Sequence, residues 1–160
     1  MEISTFLADN QHTVAGSVDD CDRLVRKLDQ RKEDAEDATD FELIDVRKLR
    51  AAGGFHSSFM APVQAELEEL VESVSFHDAS MPVVLNCSGE TALEASKIKE
   101  AVKRQLVAPV QWRQSVLTAL EEVGASRFVE VSPSRVLSTI VRHRIAQCRE
   151  RGVTERFVKV

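Results

Sequence analysis

Four histidines are the side chains of this 160-residue chain that titrate nearest neutral pH, so proton transfer is considered there first. His12 falls in a segment that reads as a strand, and His77 stands beside a turn. His143 lies between Arg142 and Arg144 on a helix. These three read as surface or packing residues. His56 is placed differently. It follows Gly53-Gly54-Phe55 and precedes Ser57-Ser58, a small-residue approach to a helix, where a loop can hold a general base on a rigid scaffold. Read alone, a satisfied structural histidine is the stronger of the two readings. A matching nucleophile is missing, because no G-x-S-x-G elbow occurs. The nearest stretches, Ala15-Gly16-Ser17 and Asn86-Cys87-Ser88-Gly89, lack the paired glycines. Neither G-x-G-x-x-G nor G-x-x-x-x-G-K-[ST] is found, so no phosphate-cradling loop is expected. Cys21, Cys87 and Cys148 are odd in number and widely spaced, and with the histidines they form no C-x-x-C, H-x-x-x-H or H-E-x-x-H pattern. No metal site and no disulfide framework are expected, and a reducing compartment is.

The elements that must position these residues follow from the apolar pattern. Hydrophobic residues make up 43% of the chain and charged residues 29%, with a net charge of −5. That composition supports a folded core and excludes a disordered chain. The acidic balance argues against nucleic acid as a partner. The longest apolar run, residues 81–85, is too short to cross a bilayer, and the first residues lack a basic and apolar leader. Residues 2–6 and 11–16 read as strands. Ser17 then caps a helix with Asp20 at its third position, and Val18, Cys21, Leu24, Val25 and Leu28 share one face. Residues 31–40 carry charge of both signs and no large apolar side chain. They read as a solvated loop or frayed helix end, with an acidic docking tail as the minority alternative. Residues 41–49 read as a strand, and Ala51-Ala52-Gly53-Gly54 as a hinge between subdomains.

Pro62 suits the first turn of a helix carrying Val63, Leu67, Leu70, Val71 and Val74. Residues 82–86 form an apolar run of the kind buried on both faces in a parallel sheet. Thr91 and Glu94 read as a capping box before a helix with Ile98, Val102 and Leu106, which Pro109 interrupts. The next helix covers residues 110–123, with Trp112, Val116, Leu120 and Val123 on one side and Gly124 as its stop. Residues 127–131 read as a strand. Ser132 and Pro133 open an amphipathic helix bearing Val136, Leu137, Ile140, Val141, Ile145 and Cys148, and residues 153–160 read as a last strand. The alternation predicts an α/β fold. Strands 82–86 and 127–131 are expected as buried parallel neighbours, with the helix from Ser132 packed on them.

Four stretches carry a resemblance. Gly54-Phe55-His56-Ser57-Ser58-Phe59-Met60-Ala61-Pro62 resembles the G-A-F-H-S-x-x-M-x-P motif of malonyl-CoA:acyl-carrier-protein transacylases. Met81-Pro82-Val83-Val84-Leu85-Asn86 is similar to that family's P-V-V-x-N strand. Lys103-Arg104-Gln105-Leu106-Val107-Ala108-Pro109-Val110-Gln111-Trp112 resembles its R-Q-L-x-x-P-V-x-W segment. Arg127-Phe128-Val129-Glu130-Val131-Ser132-Pro133-Ser134-Arg135-Val136-Leu137 resembles F-x-E-V-G-P-G-x-V-L. Upstream, residues 6–16 look like a variant of N-S-P-x-Q-x-V-I-S-G. The motifs stand in the family's order and span nearly the whole chain, with residues 31–40 as an insertion.

The resemblance implies ping-pong acyl transfer. A serine of G-H-S-x-G takes malonyl from coenzyme A and passes it to the pantetheine thiol of a carrier protein, in fatty acid or polyketide synthesis. By the same resemblance His56 is the general base, and the backbone carbonyl of Gln105 orients its ring. Phe55 matches the residue linked to malonyl preference. Its ring leaves little room for a 2-methyl branch, a discrimination of about 1–3 kcal/mol. The implied fold is the later part of a ferredoxin-like small subdomain in residues 1–50, followed by the C-terminal part of an α/β-hydrolase-like large subdomain in residues 51–160. Malonyl-CoA, acyl carrier protein and the missing N-terminal half of the enzyme are the implied partners. No cofactor, nucleic acid or membrane is implied. The compartment is cytoplasmic, or an organelle such as the mitochondrion.

Departures from the family pattern bear on this. Leu7 and Asp9 replace the asparagine and proline of the upstream motif, and Ser132 and Ser134 replace the glycines of G-P-G. The serine elbow and the malonyl-binding arginine belong to the half without a counterpart here, so the chain alone is expected to be inactive. The alternative is a non-catalytic module of the same fold that binds carrier protein or another partner. A third is a small independent α/β domain that kept only the scaffold.

Overall fold

In the computed structural model, residues 1–34, 46–49, 51–131, 137–141 and 154–158 are described, the last five by their backbone only. Strand β1 (Glu2–Ala8) turns back through Asp9 and Asn10, both turn-forming residue types, into antiparallel β2 (Gln11–Ala15). Helix α1 (Val18–Asp34) follows. The Asp20 N–H donates to Ser17 Oγ (3.1 Å), the cap that the sequence pattern predicts, while the Asp20 carboxylate accepts from the Ser17 hydroxyl (2.8 Å) and not from the backbone N–H of a capping box. Asp19 and Asp20 in the first turn and Arg31 and Lys32 in the last complement the helix dipole. The start of the charged run is thus helical, and the rest of it lies outside the described residues. So do residues 41–45 of the expected strand, while residues 46–49 have no regular structure.

A 3₁₀ turn (Ser58–Val63) holds Pro62, and helix α2 (Gln64–Ser73) begins two residues after the expected start. Val71 is the buried residue of its apolar stripe. Strands β3 (Val83–Val84) and β4 (Thr91–Ala92) pair antiparallel, and helix α3 (Ala95–Arg104) follows. Helix α4 (Trp112–Glu121) ends at Gly124, whose φ is +70°, with the Ala125 N–H donating to Ala119 O (2.8 Å). Strand β5 (Arg127–Val131) pairs in parallel with β6 (Thr154–Val158). Buried Val116 of α4 and Val141 of the helical stretch 137–141 pack with Trp112, Leu120 and Phe128. The content is α/β, and no described helix is long and apolar enough to cross a membrane.

Two expectations are corrected. Residues 82–86 and 127–131 are not neighbours. They belong to different two-stranded sheets. The apolar run turns back on itself: Gly89, at φ +75°, donates its N–H to Leu85 O (2.7 Å), and the Leu85 N–H donates to Glu90 O (2.9 Å). The closed turn sets β3 against β4. Neither run is buried on both faces, since Val83 is 37% exposed and Val131 67%. Thr91, expected as a helix cap, is a strand residue. The first N–H of α3, on Ala95, instead donates to Asp78 Oδ1 (2.8 Å) from the preceding loop. Of the helix expected from Ser132, residues 132–136 and 142–150 lie outside the described residues, and the described turn packs beside Phe128.

The first hairpin is tied to the later chain across the Ala51–Gly54 hinge. Val110 bridges β1 in parallel at Thr5, accepting from the Phe6 N–H and donating to Ser4 O, both at 2.9 Å. Helix α2 is tied to α3 by charge. Glu72 pairs with Lys103 and with Lys99 (2.7 Å), and Lys103 also reaches Glu100 (2.7 Å). The hydrogen bond from Lys103, then that from Lys99, holds the Glu72 carboxyl down to about 2 from 4.5. A depressed carboxyl stabilises the fold above its unfolded value, and that contribution is lost as pH falls through the folded value. The thermal midpoint of the native chain is therefore expected to exceed that of Glu72→Gln near neutrality. The gap should close between about pH 4.5 and 2, and be reduced by salt. A gap unchanged down to pH 2 contradicts the assignment.

Candidate active site

His56 lies at the C-terminal end of α3. The last carbonyls of a helix have no partner within it. Here three carbonyls at this end are taken by groups from the loop and helix that follow the hinge. Lys103 O accepts from Gln64 Nε2 (2.7 Å), Leu106 O accepts from the His56 N–H (2.9 Å), and Gln105 O lies 2.7 Å from His56 Nδ1. A carbonyl only accepts, so Nδ1 carries a proton, and in the neutral ring Nε2 is then the nitrogen with the lone pair. The ring is partly exposed, and the contact with Gln105 is the one the resemblance implies.

The backbone of His56 has φ +62°, a left-handed conformation that costs an L-residue about 1–2 kcal/mol. Neighbouring bonds hold it there. Ser57, 1% exposed, donates its hydroxyl to Gly54 O (2.5 Å). Gly54 fits closely: a Cβ there would stand 2.9 Å from Phe59 Cβ. Ser58 is held from the other side, its N–H donating to Glu2 Oε2 (2.9 Å) and its hydroxyl to Glu2 Oε1. Both serines beside His56 are therefore engaged away from its ring, and neither is presented to it as a nucleophile. Phe55 is 45% exposed beside the loop.

Sequence reading missed Glu2, Gln64 and Leu106, which act from distant positions or through the backbone and leave no local motif. It flagged Asp9 as a departure, and the structure pairs that carboxylate with the Arg113 guanidinium of α4. Among the described residues, no cluster of three or more His, Cys, Asp or Glu converges on a point.

The site so described is an imidazole with one nitrogen fixed by a backbone carbonyl and the other free to take a proton, on an α/β framework. That arrangement suits a general base. No family model matches the chain. In sequence it is 35% identical over 94 residues to the malonyl CoA-acyl carrier protein transacylase of Bacillus subtilis, covering 59% of this chain and 29% of that protein. In structure it matches the malonyl-CoA:acyl carrier protein transacylase of Xanthomonas oryzae pv. oryzae with a TM-score of 0.78 at 26% identity, over 97% of this chain and 44% of that one. It also matches a solved complex of a type II PKS acyl-carrier protein with its malonyl-transacylase, with a TM-score of 0.59 at 26% identity, over 70% of this chain and 34% of that one. The relatives of the chain, in sequence and structure, are malonyl-CoA:acyl-carrier-protein transacylases. The chain spans under a third of the length of the curated relatives and under half of the solved ones.

Proposed function

We propose that this chain provides the C-terminal half of a malonyl-CoA:acyl-carrier-protein transacylase, with residues 1–50 in a partial ferredoxin-like subdomain and residues 51–160 in the large one. The observation that carries the proposal is the 2.7 Å contact between His56 Nδ1 and Gln105 O, which leaves Nε2 as the base. The serine nucleophile comes from an N-terminal half with the G-x-S-x-G elbow, which this sequence lacks. Apolar Val129 and Val131, more than half exposed on one side of β5, support an additional covering element. Relatives named for acyl carrier protein support that substrate.

In the first half-reaction His56 Nε2 takes the proton of the serine hydroxyl as its oxygen attacks the malonyl thioester carbonyl. The tetrahedral intermediate collapses with loss of coenzyme A thiolate, which recovers the proton from the imidazolium. In the second half-reaction His56 takes the proton of the pantetheine thiol. The sulfur attacks the malonyl-serine ester, and the serine oxygen leaves with that proton. The Gln105 carbonyl and the negative end of α3 face the ring when it carries the positive charge, the part a buried carboxylate plays in a Ser-His-Asp triad.

Phe55 narrows the acyl pocket. Phe55→Ala is expected to reduce the preference for malonyl-CoA over methylmalonyl-CoA by about 10–200-fold, as one methyl group allows. Competition between the two thioesters in the recombined enzyme reads this ratio directly, and an unchanged ratio removes Phe55 from specificity. The proposal itself is tested by co-expressing the chain with the N-terminal half of a malonyl-CoA:acyl-carrier-protein transacylase and assaying transfer to a phosphopantetheinylated carrier protein. Restored transfer supports it. A folded complex without transfer favours the non-catalytic binding module instead.

A further inference from the structure

We propose that Glu2 is a positioning residue for His56, acting through Ser58 from a strand more than fifty residues away in sequence. The inference rests on the reading of His56 as the general base. His56 adopts a backbone conformation that its residue type disfavours, so the segments on both sides must hold it. Around His56 itself, Gly54 and Ser57 close a tight turn through the buried Ser57 hydroxyl. That bond has a consequence for the following side. Ser57 stands at the N-cap position of the 3₁₀ turn, but its side chain is turned to Gly54 O and makes no cap hydrogen bond. The Ser58 N–H, at the start of that turn, is thereby left to an acceptor other than the Ser57 side chain. Glu2 supplies it from β1, with one carboxylate oxygen on the Ser58 N–H and the other on the Ser58 hydroxyl. A two-pronged contact of this kind fixes direction as well as distance. The same two bonds, the hydroxyl first, hold the Glu2 carboxyl below its ordinary range, so it is ionised and acceptor-only near neutral pH.

The geometry makes a chain of fixed contacts. Strand β1 is pinned to Val110, a few residues beyond Gln105 and Leu106, by the two bonds at Ser4 and Phe6. Glu2 at the start of β1 grips Ser58. His56 lies between that grip and the carbonyls of Gln105 and Leu106. The hairpin thereby sets the direction of the catalytic loop relative to the end of α3.

The test reads the ring and not turnover. In the full chain labelled with ¹⁵N-histidine, with the His56→Ala spectrum used for assignment, the native His56 is expected to show protonation at Nδ1 and a bare Nε2. Glu2→Ala should shift the ring to a mixture of tautomers and expose the Nδ1 proton to faster exchange. Glu2→Gln, which retains an acceptor for the Ser58 N–H, should keep most of the native signature. An unchanged ring in Glu2→Ala overturns the proposal, as does a change that Glu2→Gln does not rescue. Should Glu2→Ala fail to fold by circular dichroism, Ser58→Ala removes only the hydroxyl half of the contact. A partial shift is then expected, and a native signature overturns the proposal. Because the readout is tautomer state, failure here is separate from failure of transfer on recombination, which concerns the transferase reading itself.

Discussion

Replacing His56 with alanine is expected to lower the rate of malonyl transfer by about 10⁴–10⁶-fold in an enzyme completed by its serine-bearing half. The size follows from the role proposed for the ring in both half-reactions. Without a base the serine hydroxyl is a poor nucleophile near neutral pH. Without an acid the departing thiolate or alkoxide is not protonated. Each factor of ten in rate is about 1.4 kcal/mol, so about 5–8 kcal/mol of transition-state stabilisation is assigned to this one side chain. Gln105 offers the contrast. Its proposed contribution is a backbone carbonyl, which alanine also has, so Gln105→Ala is expected to cost less than about tenfold. Single-turnover rates of malonyl-serine formation for both variants test the pair. Equal losses in the two contradict the division of roles between ring and carbonyl.

A loss of stability of about 2–5 kcal/mol is expected for Gly89→Ala. Gly89 has φ +75°, which costs an L-residue about 1–2 kcal/mol. A Cβ would also stand 2.6 Å from Gln114 Cγ and 2.7 Å from Gln114 Cβ, and at 3.2 Å from the Ser115 backbone nitrogen. The colliding atoms sit at the root of a helix side chain, so α4 itself must shift, an overpacking cost of about 1–3 kcal/mol. For a chain of this size the thermal midpoint should fall by about 4–20 °C. Gly124 is the control. It has φ +70°, but a Cβ there would meet nothing within 4 Å, so Gly124→Ala should carry the backbone term alone. Equal losses at the two glycines contradict the packing argument.

The parts of the fold that were legible in the sequence are those specified locally. Ser17 and Asp20 mark the start of α1 because the cap acts within one turn, and Gly124 marks the end of α4 for the same reason. Pairing is not local. The run Pro82-Val83-Val84-Leu85 announces burial but not its neighbour, and a glycine four residues on turned it into a hairpin in place of a sheet centre. The Thr91–Glu94 pattern had the right residues for a cap, but Thr91 was drawn into β4 and Asp78 capped the helix instead. At the site, His56 and Gln105 stand out because a resemblance carries them. Glu2 and Asp9 act through partners 56 and 104 residues away, so no spacing rule reaches them.

The central claim is that this chain supplies the base of a malonyl transfer and not its nucleophile. It is tested most directly by intact mass spectrometry of the chain and a complementary serine-bearing half, alone and together, after brief exposure to malonyl-CoA. The expected result is no malonyl on this chain in any mixture, and one malonyl on the complementary half when the two are combined, with the adduct forming far more slowly in His56→Ala. A stoichiometric malonyl adduct on this chain by itself, at Ser57, Ser58 or any other residue, contradicts the account.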